Sequence, residues 1–198
     1  SLIASTPLVS SESSPSKPVT VELVHQEKTI QPGHPFWVAV NVDMDSGWHS
    51  YWKNPGVAGA PIRVEWDLPP GYSVDSIKWP TPTRYVTGDL ISYGYEDNVI
   101  LLARITPPNQ IEGDSAEIKA KIRWVACSGD ECVPGTAEAT IALDIRPEQP
   151  EVHVANGAKI QNAITALPET NDSIVAAVKG DFIEILLPKG VDADNAYF

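Results

Sequence analysis

Ile122-Arg123-Trp124-Val125-Ala126-Cys127-Ser128-Gly129-Asp130-Glu131-Cys132-Val133-Pro134-Gly135 is the stretch on which the fold turns, and it holds both cysteines of the chain. The alternating residues around Trp124 have the period of a half-buried β-strand, and that strand ends at Cys127. Ser128 to Glu131 is polar and contains a glycine, the composition of a hairpin tip. If Cys127 and Cys132 face each other across that tip, antiparallel pairing sets their Cα atoms about 4.5 to 5.5 Å apart. A disulfide accepts about 4.4 to 6.8 Å.

The same short-run pattern recurs along the chain. Val19 to Val24 and Phe36 to Val42 alternate, and Ile62, Val64 and Trp66 share one face while Arg63 and Glu65 share the other. Further strands are expected at Tyr72 to Trp79, Val99 to Ile105, Ala116 to Cys127 and Thr136 to Ile145. Pro32-Gly33, Pro69-Pro70-Gly71, Pro107-Pro108 and Pro134-Gly135 punctuate the series. Short strands at this spacing, with no convincing amphipathic helix among them, predict an all-β domain over residues 18–148 built as two antiparallel sheets in a sandwich.

Both ends read differently. Residues 1–17 carry Ser10-Ser11-Glu12-Ser13-Ser14-Pro15-Ser16-Lys17, which has no periodic apolar face and is expected to be a flexible leader. The start at Ser1 fits a removed signal peptide and a cloning boundary equally well. After Ile145 comes Arg146-Pro147-Glu148-Gln149-Pro150-Glu151, a polar, proline-rich joint. Beyond it a short helix is expected over Ala158 to Leu167, and a hairpin from Ser173 to Val178 and Phe182 to Leu187. So few elements bury too little to stand alone. Residues 149–198 are therefore read as a linker and the start of a second small β domain, or an extension packed on the first.

Charge narrows the partners. The formal net charge is -12 and the basic residues form no stripe, which argues against nucleic acid and against an anionic membrane surface. The richest apolar run, Val99 to Ile105, is interrupted by Arg104 and falls far short of the roughly 18 to 20 residues that cross a bilayer. No direct membrane insertion by this fragment is expected.

Three states of the cysteine pair remain open at this level: a redox-active disulfide, a structural staple and two unpaired thiols. Closing a loop of about six residues stabilises by only about 2 kcal/mol, against about 4 kcal/mol for a loop of about 50. A large β domain gains little from so local a bridge, which makes its chemistry the more informative reading. Two cysteines are too few for a four-ligand zinc site without help. His25, His34, His49 and His153 have no compact spacing with them and read as ordinary turn or strand histidines, so neither a metal nor a cofactor is expected. The pair is not Cys-x-x-Cys at a helix start, so no helix N-terminus stabilises its thiolate. Asp130 and Glu131 would disfavour that thiolate if they lie close.

Four segments together resemble the N-terminal periplasmic domain of the DsbD thiol:disulfide interchange family, in its longer ScsB-like branch. They are Gly47-Trp48-His49-Ser50-Tyr51-Trp52-Lys53-Asn54-Pro55-Gly56, Val64-Glu65-Trp66-Asp67-Leu68-Pro69-Pro70-Gly71, Gly88-Asp89-Leu90-Ile91-Ser92-Tyr93-Gly94-Tyr95-Glu96, and Trp124 to Cys127 with Cys132-Val133-Pro134. The resemblance covers residues 18 to 148 and implies an immunoglobulin-like domain in the periplasm of a Gram-negative bacterium, as the soluble N-terminal part of an inner-membrane protein. It implies that Cys127 and Cys132 are the redox pair. Electrons would arrive from a thioredoxin-like domain of the same or a related membrane reductase. They would pass to periplasmic thioredoxin-fold or other disulfide-bearing proteins. It also implies that Cys132 is the attacking thiol, whereas the residues alone do not choose between the two.

The resemblance further implies a cap loop over the pair, expected within Tyr85 to Tyr93. Tyr85, Asp89, Leu90, Ile91, Tyr93 and Tyr95 are its candidate residues, with Tyr95 equally readable as an inward strand residue. Trp48, Tyr51 and Trp52 fit no single strand face and are read as packing residues or as a border to the cysteine site. Asp89, Glu96 and Asp97 read first as a solvated edge and second as groups that move protons during exchange. Two other functions compete. A non-catalytic adaptor or chaperone-like module would carry the disulfide as a staple, and a carbohydrate-binding module would use Trp48 and Trp52 as a platform.

Overall fold

The computed structural model describes residues 18–168 and 175–187; the expected leader at residues 1–17 lies outside them. In chain order the strands are β1 (Val19–His25), β2 (Thr29–Ile30), β3 (Phe36–Met44), β4 (His49–Gly56), β5 (Arg63–Asp67), β6 (Ser73–Val74) and β7 (Thr83–Thr87). β8 (Leu90–Glu96), β9 (Asn98–Thr106), β10 (Ser115–Ser128) and β11 (Glu131–Ile145) follow, then helix α1 (Val154–Thr165), β12 (Val175–Lys179) and β13 (Phe182–Leu186).

One sheet runs β1-β3-β9-β6, the other β2-β11-β10-β4-β8-β7 with β5 also on β10. Every pairing is antiparallel except β2 with β11. Alternation explains how they pack. Along β10, Ala116, Ile118, Ala120, Ile122, Trp124 and Ala126 are all buried, and β3 and β9 present Val38, Val40, Val42, Leu101 and Ile105 to the same core. Two antiparallel sheets sharing one apolar layer make the sandwich that the strand spacing predicted, of the immunoglobulin-like kind that the resemblance implied.

Alternation fails in two places, and each failure marks a cover on an outer face. On β3, Ala39 is as buried as its neighbours because α1 lies there: Ile160 packs with Val24, Ala39 and Leu102. On β10, Cys127 is buried next to inward Ala126, which puts a covered cysteine on the face away from the core.

The helix begins four residues earlier than expected. His153 caps it, its ring nitrogen accepting from the backbone N–H of Asn156 at 3.4 Å, and histidine is not among the usual start signals. Helix α1 packs on the first sheet, and the first compact unit runs through Leu167. The β12–β13 hairpin falls in a separate unit and confirms the expected turn around Gly180.

The strand expected from Tyr72 to Trp79 shrinks to β6. Val74 pairs with Ile105 and Lys78 with Leu102, so four steps on one side match three on the other and the extra residue breaks the ladder. Strands β4, β7 and β8 were not foreseen. In β4, Ser50 and Tyr51 are both buried, on opposite faces, so no hydrophobic alternation announces the strand.

Ile160→Ala should destabilise the domain by about 3 kcal/mol, the usual scale for emptying a fully buried aliphatic site. Urea unfolding measures this, with Cys132 reactivity in the folded state unchanged.

Candidate functional site

Cys127 and Cys132 stand directly opposite each other in the β10–β11 register and are joined by a disulfide, with Cα atoms 4.1 Å apart. Only Gly129 and Asp130 lie between the paired residues Ser128 and Glu131, and Gly129 has φ 56°, which suits the first central position of a type II′ turn. In a two-residue hairpin the pair flanking the loop exchanges hydrogen bonds and the next pair does not. Non-bonded pairs approach most closely, at about 4.5 Å, so the pair sits at the close-approach position of the ladder, and its separation is shorter still than the expected range.

The two sulfurs have unlike surroundings. Cys127 is 2% exposed, whereas Cys132, one strand outward, is solvent-exposed. On the Cys127 side stand Tyr51 and His49 of β4, with Tyr85 of the β7–β8 hairpin against His49. Tyr51 donates its hydroxyl proton to Cys127 Sγ at 3.2 Å. The Tyr51 ring is held in turn by the loop after β4: a Cβ on Gly59 would sit 2.2 Å from Tyr51 Cε1, so glycine is required for that approach. His49 lies directly across from Cys127, and the Tyr85 ring stacks on it at 5.4 Å. Tyr51 meets the same imidazole edge-on, also at 5.4 Å.

Burial raises the pKa of Tyr51, so its hydroxyl stays a proton donor toward sulfur. Burial lowers that of His49, and the carboxylate of Glu96 offsets part of this. Tyr85 is raised, first by burial and then by Glu96.

The segment expected as a cap loop is a β-hairpin. Tyr85 pairs with Ser92, Val86 with Ile91 and Thr87 with Leu90, and Gly88-Asp89 makes the turn. Of the candidate cap residues, Tyr85 reaches the cysteine side through His49. Asp89 and Leu90 sit at the tip with Leu90 54% exposed, and the Ile91 carbonyl accepts from the N–H of Val57. Tyr93 instead packs against Trp52, at 6.3 Å between ring centroids. Tyr95 takes its inward alternative: it belongs to the core and donates its hydroxyl to the Pro80 carbonyl at 2.8 Å.

The aromatic group at the start of β4, Trp48 just before it and Tyr51 and Trp52 within it, splits the same way. Tyr51 turns to the sulfur, while Trp48 and Trp52 pack against the core. Trp48 also lines a cleft of about 530 Å³ with Trp124 and Pro134. His49 is the residue that sequence spacing left among ordinary histidines. It lies 78 positions from Cys127, and only the strand register brings the two together. Among the described residues, no three His, Cys, Asp or Glu side chains converge as metal ligands.

Fold and site together define an immunoglobulin-like β domain that carries a single cystine near the tip of its longest hairpin, one sulfur covered and the other open. Residues 19–144 match the family described as "Thiol:disulfide interchange protein DsbD, N-terminal", and the chain belongs to that family. The Cys127–Cys132 disulfide agrees with the thiol:disulfide interchange by which that family is described. Among solved structures, the N-terminal periplasmic domain of ScsB from Proteus mirabilis is similar at 19% identity with a TM-score of 0.54. That match covers 80% of this chain, which spans 56% of the ScsB structure. The DsbD N-terminal domain of Neisseria meningitidis in its reduced form matches at 13% identity and TM-score 0.34, over 63% of this chain and 90% of that one. Comparison with curated protein sequences returned no match.

In the reduced chain, iodoacetamide should alkylate Cys132 at least about tenfold faster than Cys127, read on the single variants Cys127→Ser and Cys132→Ser. Tyr85→Ala should narrow that ratio by speeding Cys127; equal rates in the parent chain contradict the covered-and-open assignment.

Proposed function

We propose that this domain relays electron pairs in the periplasm. It would accept them from a thioredoxin-like domain of the same or a related membrane reductase and give them to periplasmic thioredoxin-fold or other disulfide-bearing proteins. The observation that carries the reading is the unequal exposure of the two bonded sulfurs. A structural staple has no need of an open sulfur beside a covered one, whereas a relay needs both: an incoming thiolate must reach one sulfur in line, and the other must wait out of reach of stray thiols.

In the loading step the donor thiolate attacks Cys132 Sγ, the Cys127–Cys132 bond breaks, and its electron pair departs on Cys127. The donor's second thiolate then attacks its own sulfur in the mixed disulfide and releases Cys132. The donor leaves oxidised and this domain reduced. In the delivery step Cys132 attacks the acceptor disulfide, expelling one acceptor thiolate. Cys127 then attacks Cys132 Sγ, restoring the intramolecular bond and freeing the second thiolate. A thiolate on buried Cys127 is costly to desolvate, and the Tyr51 hydroxyl supports it with a hydrogen bond to charge, an interaction worth about 1.5 to 3 kcal/mol.

The boundary of the second unit is also part of this reading. β12 and β13 leave Val178, Phe182 and Ile183 each more than half exposed, the condition of a hairpin awaiting partner strands, so residues beyond Leu167 are taken as the start of a second small β domain.

Trapping tests the relay. Mixed with an oxidised thioredoxin-like protein, the reduced Cys127→Ser variant should form a stable mixed disulfide through Cys132. The parent chain should show a reduction potential of roughly -120 to -270 mV. A potential well below roughly -300 mV together with no trapped species would favour the staple and an adaptor role. Tyr51→Phe should slow loading by about tenfold, measured as disulfide reduction by a thioredoxin-like donor under single-turnover conditions.

A further inference from the structure

The register of the larger sheet sets four chemically active side chains in one row. Cys132 opposes Cys127 on β10, Cys127 opposes His49 on β4, and His49 opposes Glu96 on β8. Directly opposed residues project on the same face with Cβ atoms about 4.5 to 5.5 Å apart. The row beside it confirms the phase: Ala126, Ser50 and Tyr95 are opposed in the same order and are all buried on the core side. A sulfur, an imidazole and a carboxylate in sequence is the order in which a base serves a thiol and is itself oriented by an acid.

We propose that His49 is the proton-transfer residue for Cys127, oriented by Glu96, and this deepens the relay reading on which it rests. During delivery, Cys127 must lose its thiol proton before it can resolve the mixed disulfide. His49 takes that proton, the Cys127 thiolate attacks Cys132 Sγ, and the acceptor thiolate departs with the electron pair and takes the proton from the imidazolium, which leaves His49 neutral. During loading the neutral imidazole takes a proton from the donor's second thiol and hands it to Cys127, whose sulfur received the electron pair when the intramolecular disulfide opened. The Cys132 proton goes to solvent on attack and returns from solvent on release, so protons and electrons balance in both directions.

Three further observations fit. Cys127 is sealed from bulk water, so a solvent base cannot serve it easily. The Tyr51 hydroxyl donates to its sulfur, an arrangement that supports charge there and takes up no proton. Burial keeps His49 neutral at neutral pH, the form in which an imidazole accepts a proton. The groups facing it are Tyr51 on its own strand, Tyr85 from β7, Glu96 from β8 and Cys127 from β10; Asp97 acts on Tyr85 from beyond Glu96. Glu96 is the anion directly opposite the ring, and its charge raises the imidazole's proton affinity against the effect of burial.

Stopped-flow reaction of the reduced full chain with dithiobis(nitrobenzoate) separates the steps. A first thionitrobenzoate leaves when Cys132 attacks, and a second when Cys127 resolves. The second phase should fall at acidic pH along a limb below the ordinary histidine range. His49→Phe retains a ring for Tyr85 to stack on but no base, and should slow the second phase roughly a hundredfold near neutral pH while sparing the first. Glu96→Gln should move the acid limb to lower pH. A native second phase in His49→Phe, or an unmoved limb in Glu96→Gln, overturns the role of His49. In the same assay Cys127→Ser should lose the second phase altogether. If that second release persists, the exchange reading itself fails, independently of His49.

Discussion

The phase of β10 is the constraint from which the site follows. Ile118, Ile122 and Trp124 are inward and buried, and each contributes about 1.5 to 3 kcal/mol by leaving water. A slip of one residue would turn all of them outward. Together they outweigh the roughly 2 kcal/mol that a six-residue disulfide loop supplies. The core therefore sets the register, and the register sets the sulfurs; the disulfide does not hold the hairpin in place. Opening and closing the bond can then leave the sandwich intact, which a domain that cycles between thiols and disulfide requires.

The same argument explains which parts of the fold were legible in the sequence. Long strands with an apolar inner face announced themselves through alternation, as in β1, β10 and β11 and, although α1 covers part of their outer face, in β3 and β9. Strand β4, whose polar and aromatic residues are buried on both faces, did not. His49-Ser50-Tyr51-Trp52 mixes polar and aromatic residues because Ser50 faces the core, donating its hydroxyl to the Val125 carbonyl, while Tyr51 faces the sulfur. The hairpin β7–β8 was expected as a loop because its tip is apolar yet exposed, at Val86 and Leu90, so burial gave it no period. The cysteine pair was visible because its members are near neighbours in the chain. Its surroundings were not, since His49, Tyr51, Tyr85 and Glu96 converge through cross-strand pairings that carry no local signature.

The β7–β8 hairpin, which the proposed relay treats as a cover for Cys127, is attached differently at its two ends. At its base Tyr95 lies in the core and donates to the Pro80 carbonyl, so moving that end would expose a large side chain and break a buried hydrogen bond. Toward its tip the attachments include the pairing of Gly56 with Ser92, the Val57 N–H to the Ile91 carbonyl at 3.1 Å, the Trp52–Tyr93 ring contact and the Tyr85 stack on His49. An aromatic pair contributes about 0.5 to 1.5 kcal/mol beyond the area it buries. Cys132 lies on the far side of Cys127 from this cover, so attack can begin before the cover moves. Displacing Tyr85 would wet His49 and Cys127 together, which couples access to the resolving sulfur with the surroundings that set its proton affinity.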